Sequence, residues 1–253
     1  PIHQDLSTGN FQKALERCQD EYRQNPKDPR TLRQYLEAIE YIRTFADRSF
    51  QRDDLVLAGS TYALLLKCFP QFIPFADHLS FHRNDLIERI KVTQTRTIER
   101  KTESYLKAGN IQKAIDLYRS LYQQYPQDGV LQRDYLSLLE LIKYHGDLAF
   151  ERNDPVLSGC IYRTLLRNFG AFQSFSRSLS FQREGLDIQI QNCRKRLFDD
   201  GMEQYRSGNL TAAISIWKSI LIFDPENQEV KRTLSTTLQQ SKNLERDAKR
   251  EAK

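Results

Sequence analysis

Helix breakers are scarce in this sequence: 253 residues hold only 10 glycines and 8 prolines. Breaks are therefore rare, and the helices are expected to be long. Cysteine is equally thin. Cys18, Cys68, Cys160 and Cys193 lie far apart with no CxxC spacing, which excludes a dense disulfide framework and leaves the compartment open. No stretch approaches the roughly 20 apolar residues that a membrane-spanning helix needs. No signal peptide is visible, and a chain that opens at Pro1 makes that uninformative. There is no glycine-rich phosphate loop, and no serine, cysteine or threonine sits in a nucleophile motif. These absences argue against an enzyme, and no cofactor is expected.

What is present is helical in character. Apolar residues make up 39% and charged residues 28% of the chain, which suits helices that bury one stripe and wet the other. The net charge of +5 is concentrated at one end. Residues 231–253 carry seven basic side chains (Lys231, Arg232, Lys242, Arg246, Lys249, Arg250, Lys253) and three acidic ones (Glu245, Asp247, Glu251), a balance of +4. A nucleic-acid binder more often carries its basic face on the folded body. The charge distribution therefore argues against nucleic acid as the partner.

The most specific feature is an internal duplication at an offset of 100 residues. Residues 9–88 align on 109–188 without a gap, with 32 of 80 positions identical. GNFQKA at Gly9–Ala14 returns as GNIQKA at Gly109–Ala114, and a third, shorter copy starts at Gly208 as GNLTAA. Ile111, Ala114, Ile115, Tyr118, Leu121 and Tyr122 recur at three- and four-residue steps, one apolar helical stripe. Gly109-Asn110 precedes it as turn and N-cap, and Tyr125-Pro126 stops it. Two antiparallel helices joined at Gly-Asn form a helical hairpin. Five such hairpins cover most of the chain, two of them degenerate. In those two, Pro70 is expected to terminate the helix, and Gly170 to provide a C-cap where that proline is missing.

The segment from Gly201 through Tyr205, Gly208-Asn209, Ala213 and Trp217 to Asp224-Pro225 resembles a tetratricopeptide repeat. The resemblance assigns Gly201 to the crossing of the two helices, Trp217 to the aromatic position of helix B, and Pro225 to the end of a roughly 34-residue unit. The copies ending at Pro26 and Pro126 match less fully. The extra residues between hairpins resemble irregular bacterial tetratricopeptide proteins of the envelope or lipoprotein kind. That likeness favours a periplasmic or envelope location, with signal or lipid anchor removed, over a cytoplasmic one.

The resulting expectation is an all-α, irregular α-solenoid of tetratricopeptide-like hairpins spanning 1–253. Its first duplicated unit is 1–100, its second 101–200, and a closing hairpin with a basic helix occupies 201–253. The expected function is a non-enzymatic protein–protein interaction scaffold or adaptor whose partner is a protein or peptide. Alternatives from other classes are a regulatory segment binding nucleic acid or a small effector, a cryptic enzyme, and a self-assembling structural repeat. The resemblance places partner contacts on helix A faces. The residues mapping there are Arg43, Asp47, Phe50, Arg96, Arg100, Lys143, Asp147, Phe150, Lys195, Met202, Tyr205 and Arg206. For Arg43/Asp47 and Lys143/Asp147 a plain i,i+4 ion pair is preferred to ligand contact.

Three further patterns have a bland reading that wins. His78 and His82 are four apart but lack a nearby carboxylate, so no metal site is expected. Asp53-Asp54 and Asn153-Asp154 read as helix N-caps rather than a carboxylate site. Phe69, Phe72, Phe75, Leu79 and Phe81 repeat as Phe169, Phe172, Phe175, Leu179 and Phe181. They read as core between hairpins rather than as aromatic partner pockets.

Overall fold

The computed structural model describes residues 1–251, the side chains of Ala248, Lys249 and Glu251 excepted. Among the described residues there is no strand. The helices run in order as α1 Ile2–Ser7, α2 Phe11–Gln24, α3 Pro29–Gln51, α4 Leu55–Phe72, α5 Arg83–Lys107, α6 Ile111–Gln124, α7 Gly129–Glu151, α8 Pro155–Phe172, α9 Arg183–Arg206, α10 Leu210–Phe223 and α11 Gln228–Glu251. Short 3₁₀ helices, Ile73–His78 and Gln173–Ser178, follow α4 and α8. The chain divides into two compact units, Pro1–Ser104 and Tyr105–Lys253. The division falls inside α5, and the closing hairpin belongs to the second unit instead of standing apart. In the first unit α1 packs on α2, α2 on α3 and α3 on α4. In the second, α6 through α11 pack in the same successive order, and α8 also meets α10. Sequential stacking of hairpins makes this the all-α, irregular solenoid arrangement that the repeats imply.

All five hairpin turns share one local solution. Gly9, Gly109 and Gly208 take φ of 78°, 73° and 82°, and Asp53 and Asn153 take 68° and 66° at the equivalent point of the degenerate hairpins. In each turn the residue after this left-handed position returns its N–H to a carbonyl five residues back, as Asn110 N does to Tyr105 O and Asp154 N to Ala149 O. That is a Schellman closure, in which glycine costs nothing and Asn or Asp costs little. The capping reading of Asp54 and Asp154 holds, since each accepts from a backbone N–H three residues on, Leu57 N at 3.1 Å and Leu157 N at 3.0 Å. Between hairpins the X-Pro stops hand over to fresh caps: Asp28 accepts from Arg30 N, Asp128 from Val130 N and Asn227 from Val230 N.

Three expectations need correction. Pro70 does not end its helix: α4 runs on to Phe72. Gly170 is not a cap either, because α8 also continues to Phe172 and Gly170 is absent from the positive-φ glycines. The missing Pro70 N–H falls close to the helix end, where the next turns tighten into 3₁₀ geometry. Third, by length and composition Leu55–His78 is apolar enough for a membrane span, with a window of mean hydropathy 1.3. Part of that apolar character is core, with Leu55, Ala58, Leu65, Phe69 and Phe72 buried, whereas Val56 and Ile73 are exposed.

The aromatic series is core, as expected. Phe72 and Phe172 are fully buried, and Phe75, Phe81, Phe175 and Phe181 nearly so. Tyr35 meets Phe72 edge-on at 5.8 Å, and Tyr135 meets Phe172 at 6.4 Å. Each 3₁₀ connector is stapled by a carboxylate: Glu40 accepts from Ser80 N and Oγ, both at 2.6 Å, and Glu140 repeats this on Ser180. His78 and His82 are exposed and do not share a helix. No group of His, Cys, Asp and Glu among the described residues could hold a metal. In the tail, Val230, Leu234 and Thr237 are buried, whereas Leu238 and Leu244 are exposed. Only the first part of α11 therefore covers the last hairpin. Lys242, Arg246 and Arg250 are exposed beyond it. The side chains of Lys249 and Glu251, and Lys253 entirely, lie outside the described residues.

Burial sets an alkaline limit on this fold. Desolvation pushes the Cys18 thiol from 9.0 up to about 12 and the Tyr135 phenol from 10.0 up to about 12. It also raises Cys68, Cys160, Cys193, Tyr35, Tyr62 and Tyr162. The folded values lie above the unfolded ones, so the unfolded chain ionises first. Stability is whole below pH 9 and is lost as pH climbs from about 9 toward 12. The urea midpoint is expected to stay level from pH 7 to 8.5 and to fall steadily from 9 to 11. A midpoint unchanged at pH 11 would contradict this account.

Candidate partner-binding surface

The twelve residues that the resemblance maps to helix A faces are mostly engaged inside the fold. Arg43 Nε lies 3.0 Å from Asp47 Oδ2, and Asp47 Oδ1 accepts from Tyr62 Oη at 2.5 Å. The Arg43 guanidinium stands over Phe81 at 5.3 Å. The second unit repeats this with Lys143 Nζ at 2.6 Å from Asp147 Oδ1, which accepts from Tyr162 Oη at 2.6 Å. Burial and the carboxylate hydrogen bond both hold the two phenols protonated. These carboxylates lock α3 to α4 and α7 to α8, so the ion-pair reading describes their geometry.

Phe50 lies under Arg96 at 5.3 Å, and both Arg96 and Arg100 pair with Asp53. In the second unit Arg196 covers Phe150 at 5.4 Å. There Asn153 and Asp200 stand where the first unit has Asp53 and Arg100, so that ion pair has no counterpart. Lys195 pairs with Asp199 at 3.0 Å on an exposed helix face. Tyr205 donates to Gln240 Oε1 at 2.8 Å and lies 6.0 Å from the Trp217 ring. Met202 is half-buried, and Arg206 is exposed at the end of α9.

Another surface stands out when the two units are compared residue by residue. Each carries a groove beside its Gly-Asn turn, of about 660 Å³ in the first unit and about 510 Å³ in the second. Five lining pairs are related by the duplication: Gly9/Gly109, Phe11/Ile111, Phe45/His145, Leu57/Leu157 and Thr61/Ile161. Phe45 packs edge-on to Phe11 at 4.8 Å. Its counterpart His145 is exposed. On the outward face of the long helix, Thr44 and Arg48 of α3 are replaced by Tyr144 and Leu148 of α7. Tyr144 is 58% exposed, Leu141 43% and Leu157 49%.

Leu141, Tyr144, His145 and Leu148 follow i, i+3, i+4, i+7 spacing and form one stripe along α7, and Arg152 follows at its C-cap. It ends in the groove, which His145, Leu148 and Arg152 line together with Leu157 and Ile161 of α8. Of the carboxylates near it, Glu140 holds Ser180 and Asp154 caps α8, while Glu151 is exposed beside Arg152. Arg152 is exposed and makes no ion pair among the described residues. Sequence reasoning missed this stripe because it looked for what the copies share. The usable signal was where they diverge, with a polar residue in one copy and an apolar one in the other.

No family model matches the chain, and no curated protein matches it. Among solved structures it is similar to a circular tandem repeat protein with novel repeat topology and enhanced subunit contact surfaces, at 17% identity and a TM-score of 0.25. The alignment covers 100% of this chain, which spans 64% of the length of that one.

Proposed function

We propose that this chain is a non-enzymatic interaction scaffold of the tetratricopeptide kind, and that it binds a protein or peptide partner through the second unit. The observation that carries the reading is the apolar stripe of exposed Leu141 and Tyr144 and half-buried Leu148, present where the duplicate copy has Tyr41, Thr44 and Arg48. Exposed apolar groups that line up at helical spacing next to a groove are what an interaction surface offers. The tetratricopeptide assignment is supported by the crossing at Gly201, where Trp217 of α10 lies directly against the glycine, and by Ala213, which is fully buried.

The test is affinity capture with the intact chain, run beside a Tyr144→Ser/Leu148→Ser variant. Tyr144 is exposed and Leu148 half-buried at the groove wall, and circular dichroism checks that the fold persists. Recovery of specific partners is expected to fall at least tenfold, about what two apolar anchors of 1 kcal/mol or more provide. Undiminished recovery would move the surface elsewhere. A parallel loss in a Lys195→Ala/Arg206→Ala variant alone would return it to the helix A face.

A further inference from the structure

We propose that the second-unit groove is an anchor pocket for one aromatic side chain, a Phe, Tyr or Trp contributed by the protein partner. This rests on the scaffold reading above and names the group by which the partner is held. The duplication supplies the template. In the first unit Phe45 is the only described residue of α3 that lines the groove, and its ring lies edge-on to Phe11 at 4.8 Å. In the second unit His145 stands in that position, is exposed, and has its ring 6.0 Å from that of Tyr144. Ile111 beneath it is half-buried, where Phe11 is buried. With the phenyl ring gone, the groove reaches the long helix: Ile142, Leu148 and Ala149 of α7 all line it. Their counterparts Ile42, Arg48 and Ser49 do not line the first groove.

The lining selects the chemistry of what covers it. Leu148, Ala149 and Ile161 stand where the first unit has Arg48, Ser49 and Thr61. Water needs two or more polar partners to settle in a cavity, and these three side chains offer none. An apolar group suits them, and the first unit shows which one the duplicated backbone seats at this point: a phenyl ring packed on residue 11. The second groove, at about 510 Å³, has room for such a ring brought from outside. Aromatic anchors set into pockets carry much of the binding energy of protein interfaces. Glu151 and Arg152 are adjacent, exposed and opposite in sign, so charge plays no part in the selection.

The experiment is selection of random peptides displayed on phage against the intact chain. Synthetic versions are then measured by fluorescence anisotropy. Enriched peptides are expected to share one Phe, Tyr or Trp, whose replacement by Ala weakens binding roughly tenfold or more. His145→Phe gives the second unit the ring that the first unit has. It is expected to weaken the same peptides to a similar degree, with an unchanged circular dichroism spectrum and a urea midpoint no lower than the parent's. His145→Ala is the control, since it removes the imidazole without supplying a ring, and affinity should be retained. Should His145→Phe fail the fold checks, Leu148→Ser makes the same lining polar and should weaken binding likewise. Enriched peptides without a shared aromatic residue, full affinity in His145→Phe, or equal losses in His145→Phe and His145→Ala would each overturn the proposal. So would a dimer in sedimentation that His145→Phe abolishes, since the ring would then come from a second copy. Absence of any enriched peptide sinks this inference too. Partner capture that falls with Tyr144→Ser/Leu148→Ser and survives His145→Phe would reject the pocket and keep the scaffold reading.

Discussion

Trp217→Ala is expected to cost the second unit about 3–5 kcal/mol, the usual range for emptying a buried aromatic site. Trp217 is 1% exposed, and its Nε1 donates to Phe198 O at 3.2 Å. Its ring lies 5.8 Å from that of Phe198. The position works because residue 201 has no side chain: a Cβ there would fall 2.6 Å from Trp217 Cδ1 and 2.7 Å from Cε2. Gly201→Ala is a sharper test than the truncation, since two effects oppose one another. Alanine gains about 1 kcal/mol in helix propensity. Overpacking costs about 1–3 kcal/mol, and the rigid indole leaves little room for relaxation. A net loss is expected. The chain has one tryptophan, so its fluorescence reports the site directly. The emission should shift to the red on unfolding, at lower urea in Gly201→Ala than in the parent. If Gly201→Ala raised the midpoint, the close crossing of α9 and α10 would be wrong.

Phe172→Ala is expected to be as damaging, again about 3–5 kcal/mol. Phe172 is fully buried, and its ring contacts Phe169 at 5.1 Å, Phe175 at 6.4 Å and Tyr135 at 6.4 Å. One truncation therefore opens the junction of α7, α8 and the 3₁₀ connector at once. The same change at Phe72 should act on the first unit, where its ring lies 6.0 Å from Phe69 and 5.8 Å from Tyr35. Hydrogen exchange separates the two. Phe172→Ala should deprotect α7 and α8, and Phe72→Ala should deprotect α3 and α4. If Phe172→Ala left stability within 1 kcal/mol and yet abolished partner capture, the series would be a docking pocket instead of core.

Much of the hairpin structure was legible because it is decided locally. Gly109-Asn110 at a turn, Tyr125-Pro126 at a helix end and Asp154 before Pro155 act through their own backbone dihedrals and the nearest unsatisfied N–H groups. The equivalence of Asp53 and Asn153 to the turn glycines was also local, but it was hidden by residue type. Those positions read as caps, although the cap is the next residue and they supply the left-handed turn. Pro70 misled for the opposite reason. A proline near a helix end removes a hydrogen bond that the following 3₁₀ turn can do without, and only the packing of Phe72 and Phe75 beyond it holds the chain on that course.

The surface was the least legible part. A charged residue at helical spacing looks the same in sequence whether it faces solvent or the next hairpin. Asp47 and Asp147 turned out to bond Tyr62 and Tyr162, Arg43 to cover Phe81, and Lys143 to cover Tyr162. By itself the sequence determined the helices, their turns, the 100-residue repeat and its buried aromatic series. Each follows from periodicity and short-range hydrogen bonding. The tertiary structure alone decided which side of α7 remained open, since exposure depends on what lies across from a side chain and not on the residue itself. It left Leu141 and Tyr144 exposed and Leu148 half-buried beside them.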